Sequence, residues 1–218
     1  EKGIPARALE YNEDEQEMLK DMFLLTAKPI IYIANISEEQ IVFIKERIEE
    51  FLSNCQKDNE FVELIVLTPL ADGVDRIIAN SILENFLNIK ILVPLPFSEF
   101  IYKNTFGKGL KVNKISEFES IKEYESLIYK IKKHNKSDAI FINLDFYEEI
   151  YLNQNIEEQR KIRNKQYALL GEYLIEKSDI LIAVYDKNRE IKKGGTIEIV
   201  NKFNLKTNMN KKLFEINI

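Results

Sequence analysis

Short, mostly apolar runs recur along this chain, at Ile30–Ala34, Phe61–Leu67, Ile89–Leu95 and Ile180–Val184, each separated from the next by segments long enough for helices. Runs of four to eight residues with little polar alternation fit strands that are covered on both faces. Strands of that kind need helices above and below them, and β–α alternation supplies those helices while keeping the strands parallel. The sequence therefore predicts an α/β fold, a three-layer sandwich around a mostly parallel sheet. In such sheets ligands bind beyond the C-terminal ends of the strands, where the strand order reverses.

Helical spacing of Met18, Leu19, Met22, Phe23 and Leu25 predicts a helix within Asn12–Leu25. Residues 1–27 thus read as an N-terminal helical arm, with one domain over 28–218. Ser37, followed by Glu38, Glu39 and Gln40, predicts the cap of a helix running to about Asn54. A second helix is expected over Gly73–Phe86. From Ser98 to Lys136 the pattern is polar and helical, with a stripe of Phe118, Ile121, Tyr124, Leu127, Ile128 and Ile131. A strand at Ala139–Asn143 is followed by an acidic, aromatic segment, Asp145–Tyr151, whose pattern fits neither period. A long helix over Ile156–Lys177, a strand over Asp179–Tyr185, a helix to about Phe203 and a strand at Lys212–Ile216 complete the alternation. No internal repeat or low-complexity tract interrupts it.

The charge balance, 31 Lys+Arg against 36 Asp+Glu, argues against a surface that holds nucleic acid by neutralising phosphates. The single cysteine, Cys55, allows no intramolecular disulfide and fits a reducing compartment, with helix-end packing as its expected role. No apolar stretch is long enough to span a bilayer and the first residues are charged, so the expectation is a soluble, cytoplasmic protein. An effector domain outside this sequence and a homodimer are both compatible with it. His134, the one histidine, lies among Lys132, Lys133 and Lys136 and reads as a solvated surface residue. Nothing calls for a metal or a cofactor, and a histidine triad or a Gly-x-Ser-x-Gly elbow is missing. Any catalysis would fall to carboxylates.

Two loops combine glycine with a strand-to-helix transition. Thr68-Pro69-Leu70-Ala71-Asp72-Gly73-Val74-Asp75-Arg76 follows the second strand. Gly73 permits an unusual turn, the helix start offers N–H donors, Asp72 or Asp75 suits a ribose hydroxyl, and Arg76 suits a phosphate. A plainer account has Asp72 capping the helix, with Asp75 and Arg76 as a solvated pair. The second loop is Gly194-Gly195-Thr196, leading into Ile197 and Glu198. With only seven glycines in the chain, an adjacent pair is informative. Two glycines let the backbone approach an anion, Thr196 adds a hydroxyl, and the helix dipole points at the same place. The plainer account makes Thr196 an N-cap and Glu198 a dipole partner. A third candidate is the helix bearing Arg163 and Tyr167 on one face, suited to a phosphate and a base or else to a solvated basic face. Gly171 in that helix costs stability, so close packing or a ligand must require it.

Leu70–Arg76, Val93–Phe97, Ser178–Asp186 and Gly194–Val200, in that order and spacing, resemble the SLOG superfamily, a Rossmann-like group that includes LOG-type phosphoribohydrolases, DprA and nucleotide-sensing domains. The resemblance spans about Lys28 to Ile218. It implies that the Gly73 and Gly195 loops meet around a nucleotide, with Asp72, Gly73, Asp75, Arg76, Arg163, Tyr167, Asp186, Gly194, Gly195 and Thr196 as ligand-binding candidates. LOG enzymes carry Pro-Gly-Gly-x-Gly-Thr-x-x-Glu directly after the strand. Here Tyr185-Asp186 is followed by an insertion, Lys187–Lys193, and only the final Gly-Thr-x-Glu is kept. The likeness is thus closer to the sensor members, and implies binding of an ADP-ribose-like or cyclic nucleotide in bacterial defence or stress signalling. The alternative is a phosphoribohydrolase that cleaves the N-glycosidic bond of a nucleoside monophosphate, with Glu198 as the catalytic carboxylate.

Overall fold

A computed structural model describes residues 38–58, 63–106, 117–188, 195–206 and 211–218, all within the unit Asn35–Ile218. The expected arm of residues 1–27, the helix within Asn12–Leu25, the strand Ile30–Ala34, the Ser37 cap, residues 189–193 of the insertion and Gly194 lie outside the described residues.

The described elements are α1 (Glu38–Asp58), β1 (Leu64–Leu67), α2 (Val74–Asn85), β2 (Ile89–Leu95), α3 (Glu99–Lys103), α4 (Glu117–Asn135), β3 (Phe141–Asn143), α5 (Glu148–Leu152), α6 (Ile156–Lys177), β4 (Ile180–Tyr185), α7 (Thr196–Lys206) and β5 (Lys212–Asn217). Every described strand pairing is parallel, β1-β2-β3 in one group and β4-β5 in another, so the α/β fold expected from the sequence is the one observed.

β2 organises the first group. Ile89, Ile91, Val93 and Leu95 are buried, whereas Lys90 turns outward to an ion pair with Glu63 at 2.6 Å. Each buried aliphatic side chain of this kind contributes about 1.5–3 kcal/mol relative to exposure. β1 pairs with the first half of β2 and β3 with the second, from Val93↔Phe141 to Leu95↔Asn143. Pro94 fits this changeover. The Val93 N–H donates towards β3, to Ile140 O at 2.8 Å, so an N–H at position 94 would face the side where β1 has ended at the Leu67↔Leu92 pair. Proline therefore removes no ladder bond here.

α4 lies over this sheet with Tyr124, Leu127, Ile128 and Ile131 buried, as its stripe predicted; Phe118, at the first turn, is exposed instead. Its last turn holds the start of β2. Asn135 donates from Nδ2 to Ile91 O at 2.7 Å and accepts from Ile91 N–H at 3.2 Å. His134 Nε2 sits 2.8 Å from Ile89 O, which corrects its reading as a solvated residue: the helix end is directed at the strand, so the ring meets a backbone carbonyl. The segment without an assignable pattern, Asp145–Tyr151, contains the short helix α5.

α6 has the bounds its sequence pattern predicted. Asn155 Oδ1 accepts from Glu158 N–H at 2.9 Å as its N-cap, and Ser178 terminates it. Gln166 on this helix is buried and donates from Nε2 to Pro96 O at 2.9 Å and Asp145 O at 2.8 Å, the carbonyls just past β2 and β3. Close packing accounts for Gly171. A Cβ there would stand 2.8 Å from Cδ1 and Cγ1 of Ile199, so the glycine lets α7 approach α6.

Candidate functional site

The segment after β1 takes two backbone conformations that most residues avoid: Leu70 has φ 56° and Gly73 has φ 96°. At Gly73 the second torsion, ψ −121°, makes this a conformation open essentially to glycine alone. Gly73 is the N-cap of α2, with no side-chain cap, and no described atom lies within 4 Å of where its Cβ would stand. Among the described residues, the space beside Gly73 at the start of α2 is therefore open, next to the C-terminal end of a parallel strand.

Arg76 lies against this path. Its side chain is 2% exposed, and the guanidinium folds back over its own loop. Nε donates to Leu70 O at 3.1 Å; Nη1 donates to Ser120 O at 2.9 Å, Ser120 Oγ at 3.0 Å and Glu123 Oε2 at 2.8 Å. Nη2 meets Asp72 Oδ1 at 2.8 Å as an ion pair, outside hydrogen-bond alignment. Ser120 Oγ also donates to Asp72 Oδ1. The rings of Phe106 and Tyr124 cover the cation, with centroids 4.6 and 5.9 Å from Cζ. Such charge-assisted bonds are the strong ones, and their burial makes the loss of any partner costly.

This arrangement corrects the plainer account of the loop. Asp72 does not cap α2, and Arg76 is no solvated residue: the apolar face of α2 draws it inward, where α4 supplies acceptors. It also changes the position of Arg76 among the ligand-binding candidates. Its Nε and Nη1 donors are committed to the protein and Nη2 is ion-paired with Asp72, which suits it to shape the loop.

Asp75 is held differently. One carboxylate oxygen accepts from Ala71 N–H at 3.2 Å. Burial pushes this carboxyl up to about 6, against the lowering effects of the Ala71 N–H, the Thr68 hydroxyl and the Arg76 charge. Tyr102 lies close enough to feel its charge, and burial followed by Asp75, Tyr167 and Tyr124 raises the Tyr102 phenol well above its ordinary value. The hydroxyls of Tyr102 and Tyr124 are buried without a hydrogen-bond partner among the described residues.

α6 carries two further candidates. Tyr167 packs edge-on against Phe97, with centroids 5.4 Å apart, within reach of Thr105. Burial raises its phenol; the Thr105 hydroxyl and the Arg163 charge oppose that rise, and Asp72 and Tyr151 add to it. Asp72 and Arg163 thus both act electrostatically on Tyr167, although 95 positions separate Asp72 from Tyr167 in sequence.

Gly195, Thr196 and Glu198 form a second group. Gly195 O accepts from Ile199 N–H at 3.1 Å, which puts Gly195 at the N-cap and Thr196 one position inside α7; Thr196 is not the cap residue. Glu198 pairs with Lys202 at 3.1 Å, and Lys202 reaches Glu172 of α6 at 3.2 Å. Arg163, Tyr167 and Gly171 follow one another at i, i+4 and i+8, so a single face of α6 serves the first group through Tyr167 and the second through Gly171. Asp186, at the end of β4, accepts from Asn188 N–H at 2.9 Å, and its role there is to turn the chain. Next to it Tyr185 donates to Glu215, which raises the phenol to about 12 and lowers the Glu215 carboxyl.

Sequence reasoning missed Ser120 and Glu123, the α4 partners of Arg76. One signal was present: Ser120 lies four residues before Tyr124 on the buried face, a small polar residue where the stripe calls for an apolar one. Among the described residues no three His, Cys, Asp or Glu side chains group to hold a metal, and no helix is long and apolar enough to cross a membrane.

No family model matches the chain. Over 37 residues it is 49% identical to the ribosome-binding ATPase YchF of Bacillus subtilis (strain 168), a stretch amounting to 17% of this chain and 10% of that protein. The chain thus spans about a tenth of that relative's length.

Proposed function

We propose that this domain binds a nucleotide, in the manner of a sensor or regulatory module that recognises an ADP-ribose-like or cyclic nucleotide signal. The observation that carries the reading is the β1–α2 loop at the C-terminal end of a parallel strand, where Gly73 starts α2 without a side-chain cap and Asp72 acts electrostatically on Tyr167 of α6. There, among the described residues, nothing fills the space beside Gly73. Helix N–H groups and the Arg163 charge suit a phosphate, and Asp72 suits a ribose hydroxyl. Gly195 and Thr196 at the start of α7 are the second phosphate-accepting element, reached along the same face of α6. The short match to a protein named as an ATPase agrees with a nucleotide ligand but covers too little of either chain to carry the argument. A bacterial defence or stress response would suit such a module, with its signal passed to a fused effector or across a homodimer.

The test is titration calorimetry with ADP-ribose, cyclic mononucleotides, ATP and nucleoside monophosphates. Binding of one class is expected, and a folded sample that binds none rejects the reading. Thr196→Val should weaken phosphate-dependent binding about tenfold, the equivalent of one charge-assisted hydrogen bond. The phosphoribohydrolase alternative rests on Glu198, whose carboxylate is paired with Lys202. Release of free base from a nucleoside monophosphate, abolished by Glu198→Gln, would replace binding with catalysis as the domain's activity.

A further inference from the structure

We infer that Arg76 is a positioning residue for the nucleotide loop, and that α4 belongs to the binding machinery through it, although α4 contributes no candidate ligand contact. The inference rests on the nucleotide-binding reading for its functional consequence, and on the Arg76 geometry for its structural content.

Leu70 is held at φ 56°, a torsion that persists only where the surroundings over-determine it, while Gly73 takes φ 96°, which glycine adopts without strain. Arg76 supplies that determination from inside. It binds Leu70 O and pairs with Asp72, so the strained residue and the one before Gly73 are both tied to one rigid, planar cation. The cation is in turn fixed from α4, by the carbonyl and hydroxyl of Ser120 and the carboxylate of Glu123. Ser120 Oγ closes the circuit: it accepts from Arg76 and donates to Asp72, so the orientation of a proposed ribose-binding carboxylate is set by a hydroxyl 48 residues further along the chain. A ligand contacting Asp72 or the amides near Gly73 thus meets donors and acceptors whose placement α4 decides, and preorganisation of that kind lowers the cost of binding.

The experiment compares two buried serines that both touch α2. Ser120 serves the Arg76 circuit; Ser81, on α2 itself, donates to Glu49 of α1 at 2.7 Å. Ser120→Ala, Ser81→Ala and Glu123→Gln are each measured for thermal midpoint, for amide exchange at Ala71 and Gly73 in the free protein, and for affinity towards the best nucleotide of the panel. The expected result is that Ser120→Ala and Glu123→Gln speed exchange at the loop and weaken binding roughly threefold to thirtyfold, while Ser81→Ala lowers the midpoint without moving either. Equal effects of the two serine variants on affinity, or unchanged loop exchange in Ser120→Ala, overturn the inference. If no nucleotide binds the wild type while the exchange pattern is as expected, the positioning role of Arg76 stands and the nucleotide reading fails.

Discussion

The two glycine loops solve the same problem by different means. Around Gly73 the backbone is held by a buried ionic circuit that reaches across to α4, with Arg76 at its centre. Around Gly195 the helix start is held by close packing of Ile199 over Gly171, with its ion pairs, Glu198–Lys202–Glu172, at the surface. A circuit of directional bonds fixes individual atoms and fails abruptly when one member is lost; a packed contact tolerates adjustment, since an isoleucine tip can move by a few tenths of an ångström. The first arrangement suits exact placement of a carboxylate and amides, and the second suits a helix that must only approach.

Variants can break this contrast. The largest effect is expected from Arg76→Met, which leaves carboxylates and a buried serine without their cation and should cost about 3–5 kcal/mol in urea unfolding. A loss below about 1 kcal/mol would remove the circuit as the basis of the loop. Next comes the pH dependence carried by Asp75. Its carboxyl is raised from 3.8 to about 6 by folding, so its protonated form is the one the fold favours. The stabilisation is complete below about pH 4 and is lost as the pH rises through about 6. Asp75→Asn should flatten the stability profile across that window and raise the unfolding midpoint at pH 7; an unchanged profile would contradict the burial of this carboxyl. A smaller effect is expected from Gly171→Ala. Overpacking against Ile199 costs about 1–3 kcal/mol, offset by about 1 kcal/mol of helix propensity, and the added Ile199→Ala change should relieve the overpacking. A Gly171→Ala protein more stable than wild type would show that the helices have room to spare. The smallest is Glu198→Gln, which weakens the partly exposed pair with Lys202 and should shift the thermal midpoint least. If it destabilised as much as Arg76→Met, the two loops would be alike after all.

Much of the fold was legible in the sequence, because its signals are local. β2 and α6 have the bounds their patterns predicted, the one from its apolar run and the other from its helical pattern, with Asn155 and Ser178 as the caps observed on α6. Strand parallelism followed from apolar character on both faces. The site was legible in part. The β1–α2 loop and the Arg163–Tyr167 face were both marked, yet the inward turn of Arg76 was not visible. An arginine at a helix start looks the same in sequence whether water or a buried acceptor faces it, and its acceptors lie 44 and 47 residues away. His134 was misjudged for the same reason: its lysine-rich neighbours suggested solvent, while its partner is the backbone of a strand 45 residues earlier.

Gln166 carries a consequence for how the molecule opens. One buried amide group joins the carbonyls of Pro96 and Asp145, so the ends of β2 and β3 share a single latch on α6. Either strand end can loosen only by giving up its bond to this amide, and both bonds are lost together when α6 lifts. Three segments far apart along the chain are thereby tied into one unit of opening.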